Sequence, residues 1–297
     1  MNNQPIGIFD SGLGGLTVAR EIARALPHES LIYLGDQARC PYGPRDSLEI
    51  QDFVHQITHF LHDQDAKLIV IACNTATSCG LDVAKQHFNV PVIGVIDAGA
   101  RAAVEATQNN TLAVIGTTRT VESAAYPKAI RELTTPADPA TPSITIHSNA
   151  TPKLTNIVEE GFDNTIAQCT QQYGEYYTLV ENYLRPLLEH EPDTLLLGCT
   201  HYPVLTEALQ AVAGSEVKII CPASEVAQEV KHTLELRDQL ASPGYTPHHR
   251  FYTTEKDTAK FTMLGSRIFG EPLADVRHIS TDDLDRDWQW RPQKAKT

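Results

Sequence analysis

Leu68-Ile-Val-Ile-Ala-Cys73-Asn-Thr75 is a short apolar run that stops at a small residue and then offers a thiol, an amide and a hydroxyl. A run of this length, followed by apolar residues at three- and four-residue steps over 76–86, reads as a buried strand that hands its last side chains to a helix. The same construction returns at Thr194-Leu-Leu-Leu-Gly-Cys199-Thr-His201. Similar short runs occur at 6–9, 31–34, 92–95, 112–115, 144–147 and 217–220, and helix-period segments at 16–25, 47–61, 120–133, 175–188 and 204–212 lie among them. Alternation of this kind builds βα units around a mostly parallel sheet. One large sheet, a barrel or two smaller sheets would all satisfy it. The repeated Cys-containing block favours two halves, as does the likeness of Ile6-Gly-Ile-Phe-Asp-Ser-Gly to Leu112-Ala-Val-Ile-Gly-Thr-Thr. The expected fold class is therefore α/β, with two pseudo-symmetric domains that present loop chemistry at the carboxyl ends of their strands.

The chain has 297 residues, and domains of about 100–200 residues make two the expectation. Its 24 basic against 37 acidic residues give a formal charge of −13. Lys and Arg gather into no stripe, which argues against a nucleic-acid partner. The opening Met1-Asn2-Asn3-Gln4-Pro5 has no basic n-region, and no apolar run approaches a membrane span, so a cytoplasmic protein without a membrane partner is expected. Six cysteines in such a chain fit reduced thiols better than a disulfide framework, and their spacing suits no zinc site. Lys67 and Lys85 read as solvent-facing charges with no phosphate-binding context, so neither suggests a pyridoxal enzyme.

Gly12-Leu-Gly14-Gly15-Leu-Thr17, followed by Asp36, nearly mimics a dinucleotide fingerprint but puts Thr17 at the third glycine position and Asp10 where a pyrophosphate would sit. The glycines make a tight turn into a helix, whose exposed N–H groups would favour an anion such as a carboxylate. Cys40, Cys79, Cys169 and Cys221 read as small hydrophobes. Cys73 and Cys199 differ because each follows an apolar strand and precedes polar residues in a matching half. His201, two residues after Cys199, can face the same side and accept its proton. Most of the other histidines read as surface residues. Glu159 and Glu160 read as solvated helix charges or as supporting groups.

Four blocks taken together resemble the glutamate racemases: Phe9-Asp-Ser-Gly-Leu-Gly-Gly-Leu-Thr17, Leu34-Gly-Asp-Gln-Ala-Arg-Cys-Pro-Tyr-Gly43, Ala72-Cys-Asn-Thr-Ala76 and Leu197-Gly-Cys-Thr-His-Tyr-Pro203. The resemblance implies a cofactor-independent, metal-free isomerase in which Cys73 and Cys199 are acid/base thiols assisted by Asp10 and His201. It implies that Asp10, Ser11, Tyr42, Gly43, Asn74, Thr75, Thr200 and His201 bind L- or D-glutamate, and that Glu159 supports the second thiol, with Glu160 as the rival match. It also implies a ligand cleft between two domains, 1–97 plus 205–297 and 98–204, and a role in supplying D-glutamate for peptidoglycan; it leaves a homodimer open. Residues 148–156, Asp97 and Cys221-Pro-Ala-Ser-Glu225 depart from the family pattern.

Two thiols suit racemisation. The α-proton of an amino acid is hard to remove beside a carboxylate, and removal needs a base in a preorganised, water-poor site. A thiol near its ordinary pKa of about 8.5 is readily biased by neighbours: Asp10 could draw the proton from Cys73 and His201 that from Cys199. By the resemblance, Cys73 deprotonates the D-isomer and Cys199 the L-isomer. An aspartate racemase of the same superfamily, a silent amino-acid-binding protein, and a cysteine hydrolase built on Cys199 and His201 are the alternatives.

Overall fold

A computed structural model describes residues 1–134, 143–161 and 174–285. The strands are β1 (Ile6–Asp10), β2 (Leu31–Gly35), β3 (Leu68–Ile71), β4 (Val92–Gly94), β5 (Thr111–Gly116), β6 (Thr145–Ala150), β7 (Thr194–Gly198), β8 (Lys218–Ile220), β9 (Arg250–Thr253) and β10 (Val276–His278). They form a six-stranded sheet in the order β10-β9-β2-β1-β3-β4 and a four-stranded sheet in the order β6-β5-β7-β8. Every pairing is parallel. The segments β2-β1-β3-β4 and β6-β5-β7-β8 have the same connectivity, so the two halves seen in the sequence are two sheets with equivalent strands at β3 and β7.

Alternation along the strands sorts side chains into layers. Ile6 and Ile8 of β1, Leu68 and Val70 of β3, Ala113 and Ile115 of β5, and Leu195 and Leu197 of β7 all enter one core that runs through both sheets. Phe9, Ile69 and Ile71 turn to a second core on the far side of the larger sheet, and Leu112, Val114 and Leu196 to a third on the far side of the smaller one. Strands buried on both faces are nearly continuous apolar runs, which is why β3 and β7 stand out in the sequence.

Among the described helices are α1 (Leu16–Ala25), α2 (Ser47–Asp63), α3 (Asn74–His87), α4 (Val95–Ala106), α5 (Thr118–Glu122), α6 (Ala125–Thr134) and α7 (Pro152–Glu160). The single helix expected over 120–133 is split: Ala124 has φ 51°, and Pro127 cannot accommodate the carbonyl of Ser123 in a continuous helix. Helix α4 starts at Val95, directly after β4, so the strand expected over 92–95 is one residue shorter. The crossing to the second sheet runs through α4, whose first turn carries Asp97. The return differs from the expectation near Val204: β8 pairs with β7, and the chain next joins the first sheet at Arg250.

Two further sequence readings change. Lys67 is no solvent-facing charge: its ammonium is fully buried, 2.6 Å from Glu29, and donates to the carbonyls of Asn2 and Gln239. His55 is a buried histidine, packed on Phe88 with ring centroids 4.9 Å apart. Cys169 and most of the loop expected over 134–143 lie outside the described residues. No described helix is long and apolar enough to cross a membrane.

Candidate active site

Each thiol stands just past the end of an inner strand, Cys73 after β3 and Cys199 after β7. Cys73 is the N-cap of α3, and its sulfur accepts the N–H of Ala76 at 3.4 Å. Ser11 Oγ, one residue beyond β1, lies 3.7 Å from the same sulfur. Burial pushes the Cys73 thiol up and the charge of Asp10 adds to this, outweighing the opposite pull of the Ala76 N–H and the Ser11 hydroxyl. Cys73 therefore rests as a thiol. The charge of Cys199 is also felt at Cys73, so the two sulfurs share one neighbourhood.

Cys199 has a different setting. Its sulfur lies 3.6 Å from His201 Nδ1 and 3.7 Å from Thr155 Oγ1 of α7. The opposite ring nitrogen, His201 Nε2, is 2.5 Å from Glu159 Oε1, also on α7. Burial alone would lower the histidine, but the charge of Cys199, its hydrogen bond and the Glu159 carboxylate together hold His201 well above the usual imidazole range. Burial likewise works against the Glu159 carboxylate, yet His201, the Leu13 N–H and Gln37 hold it below the usual carboxylate range. The imidazole is thus a cation between the Glu159 carboxylate and the Cys199 sulfur, donating from both nitrogens. Glu159 is the residue that meets His201, and Glu160 is exposed at the helix end.

The glycine loop before α1 joins the two halves. The Gly12 N–H donates to Asp10 Oδ2 at 3.1 Å and the Leu13 N–H to Glu159 Oε1 at 2.9 Å, so the anions received by this loop are carboxylates of the protein itself. A Cβ on Gly14 would sit 2.4 Å from His201 Nδ1 and 2.6 Å from Thr200 Oγ1, and only glycine permits that approach. Thr200 in turn donates to Asp10 Oδ1 at 3.2 Å. Both Asp10 oxygens are engaged in this way, and the direct Asp10–Cys73 proton contact expected from the sequence is replaced by Ser11.

The remaining expected residues divide. Asn74 Oδ1 accepts from Tyr126 at 2.6 Å, and the Thr75 hydroxyl meets those of Thr117 at 2.8 Å and Thr120 at 3.4 Å. Tyr42 is different: its phenol is bound to Asp36 and its ring packs on Phe53, so its side chain takes no part in the hydrogen bonds of either thiol. A Cβ on Gly43 would lie 3.0 Å from Thr117 Cβ, another point where the halves touch. Cys40 borders the site, contacting Ser11 and feeling the charges of Glu159, Asp10 and Cys73, whereas Cys79 and Cys221 take no part in the hydrogen bonds of either thiol. Among the described residues, no three His, Cys, Asp or Glu side chains are arranged to hold a metal ion.

Sequence reasoning missed Gln37, Thr155, Tyr126, Thr117 and Thr120. Thr117 had a signal, since it occupies the place of Ser11 in the second copy of the β1 motif. Thr155 lies one helical turn before Glu159, on the same face of α7.

The chain matches the Asp/Glu/Hydantoin racemase family over residues 6–230. It is 43% identical over 278 residues, 93% of this chain and 96% of the relative, to a glutamate racemase of Exiguobacterium sibiricum. Among solved structures it resembles a glutamate racemase isoform of Bacillus anthracis, with TM-score 0.85, 39% identity and coverage of 95% of this chain and 99% of that one. It also resembles the glutamate racemase of Francisella tularensis in complex with D-glutamate, with TM-score 0.83, 32% identity and coverage of 96% and 100%. With a family match spanning both cysteine strands and relatives this similar over nearly the whole length, the chain belongs to the Asp/Glu/Hydantoin racemase family.

Proposed function

We propose that the chain interconverts L- and D-glutamate without a cofactor, using Cys73 and Cys199 as paired acid and base, and so supplies D-glutamate for peptidoglycan. The observation that carries this reading is the pair of thiols at equivalent strand ends, with opposite electrostatic surroundings in one neighbourhood. The names and near-complete overlap of the relatives favour glutamate over aspartate.

In the L-to-D direction, the Cys199 thiolate, paired with imidazolium His201, takes the α-proton. The carbanion is then reprotonated on its other face by the Cys73 thiol, which becomes the thiolate. D-to-L turnover exchanges the roles. Asp10, Ser11, Asn74, Thr75 and Thr200 line the space around the thiols as substrate-binding groups, with the 42–43 backbone at its edge. The working unit is two lobes, one on each sheet, with the second beginning near residue 98. Five free thiols among the described residues suit a reducing cytoplasm.

The test is a cofactor-free assay in deuterated water with L-glutamate and, separately, L-aspartate, following optical rotation and α-deuteration. Racemisation of glutamate, abolished by Cys73→Ala and by Cys199→Ala, is expected. Wild-type rates of α-exchange for both enantiomers in Cys73→Ala would remove that thiol from the mechanism.

A further inference from the structure

Glu159 is held from three directions, and two of them come from the other half of the molecule. His201 Nε2 meets Oε1 from the end of β7, the Leu13 N–H meets the same oxygen at 2.9 Å from the glycine loop, and Gln37 Nε2 donates to Oε2 at 2.9 Å from the turn after β2. A carboxylate only accepts, so the Gln37 amide must turn its nitrogen toward Glu159. Its own oxygen, Oε1, is then buried with no hydrogen-bond partner. Buried polar atoms are seldom left unpaired, so this amide is held against its own preference by the contact on its other side. The contact also constrains the loop: a Cβ on Gly12 would fall 2.3 Å from Glu159 Oε1 and 2.6 Å from Gln37 Oε1.

We propose that Gln37 is a positioning residue that latches Glu159 across the two sheets, so that seating of the second half against the first orients His201 and poises Cys199 as the base. The chain of contacts runs from Gln37 to Glu159, His201 and Cys199, and no member of it touches Cys73. The groups facing it are Leu13 from the glycine loop, Thr155 from α7 beside the sulfur, and Cys40 and Tyr33, which both feel the Glu159 charge. Gln37 thus acts on one of the two proton transfers and leaves the other alone.

The inference rests on the two-thiol reading above, and its test separates the two. L- and D-glutamate are equally stable, so any substitution must change kcat/KM equally in both directions. The signature lies in the primary deuterium isotope effects. In Gln37→Leu, kcat/KM is expected to fall about tenfold for both enantiomers, the size of one charge-assisted hydrogen bond. The isotope effect with α-deuterated L-glutamate, whose proton goes to Cys199, rises, and that with α-deuterated D-glutamate falls toward one. Gln37→Glu places a second carboxyl against Glu159, and its activity relative to wild type is expected to recover as falling pH lets that carboxyl donate again. Unchanged kcat/KM in Gln37→Leu, a fall with both isotope effects unmoved, or a swing in the opposite sense overturns the latch. Failure of the unsubstituted chain to racemise glutamate instead overturns the parent reading.

Discussion

Replacing Glu159 by Gln keeps the volume of the side chain and removes its charge. The native carboxylate accepts from His201 at 2.5 Å and from the Leu13 N–H and Gln37 at 2.9 Å each. His201 and Leu13 both donate to Oε1, which an amide can still offer as its oxygen, and Gln37 can turn its own amide to accept from the new NH2, so the substitution chiefly removes the charge that faces the imidazolium. Removing one member of a buried ion pair costs about 3–5 kcal/mol, and the 15% exposure of the Glu159 side chain points to the lower end, about 3 kcal/mol. The pH dependence has a definite sign. His201 is raised on folding, so its contribution is full below its unfolded value of about 6.5 and is lost as pH rises through the higher folded value. Glu159 is lowered, so its contribution is present above the ordinary carboxylate range and is lost as pH falls through the lower folded value. The stability difference between wild type and Glu159→Gln should therefore be largest in mildly acidic solution, between the ordinary carboxylate range and about pH 6.5, and shrink toward both extremes, measured by urea unfolding at a series of pH values. If the same loss falls on the transition state, kcat/KM drops roughly 100-fold. Equal unfolding midpoints in that mildly acidic window, or a difference that stays flat from acid to alkali, would refute the ion-pair account.

Gly14→Ala should lower kcat/KM about 100-fold while shifting the melting temperature by only a few degrees, because its Cβ would intrude on His201 and Thr200 at the meeting of the halves; a steady-state assay beside a thermal melt reads both. Lys67→Met leaves the Glu29 carboxylate buried without its cation and should cost about 3–5 kcal/mol in urea unfolding with kcat unchanged, and adding Glu29→Gln should recover part of the loss.

What could be read in advance follows from where each residue finds its partner. Strands β3 and β7 are covered on both faces, so apart from Thr194 at the start of β7 their residues carry no polar side chain, and the cysteine at each end stood out. Strand β10 went unread because two of the three residues in Val276-Arg-His are exposed, and a short polar edge strand has no period to detect. The break between α5 and α6 is local and is written in Pro127. Lys67 looked like a surface charge because Glu29, Asn2 and Gln239 lie far from it along the chain and are brought to it only by the packed sheet. For the same reason Gln37 carried no signal: its partner Glu159 is 122 residues away and on the other half of the molecule. The choice between Glu159 and Glu160 depends on the rotation of α7 against β7, which no local pattern fixes.

The two halves share strand order but give their thiols unlike neighbours. Asp10 closes β1 beside Cys73, where the equivalent end of β5 carries Gly116; His201 follows Cys199 at the step where Thr75 follows Cys73. A two-base racemase needs one thiolate and one thiol at the start of each turnover. Identical surroundings would leave which sulfur is charged undecided, and two thiolates close together would repel. Burial and the Asp10 carboxylate push the Cys73 thiol up, and the His201 imidazolium offers Cys199 a counter-charge, an asymmetry that under the proposed mechanism would favour the form that accepts L-glutamate. Under that mechanism each L-to-D turnover would leave the proton on Cys199 and the charge on Cys73, an arrangement to be reset before another L-isomer can react. Because the enantiomers are equal in energy, this bias leaves the ratio of the two kcat/KM values at one. It is free to act on the two kcat values, and the asymmetric neighbours of a symmetric pair of strands are where a preference for one direction at saturation would originate.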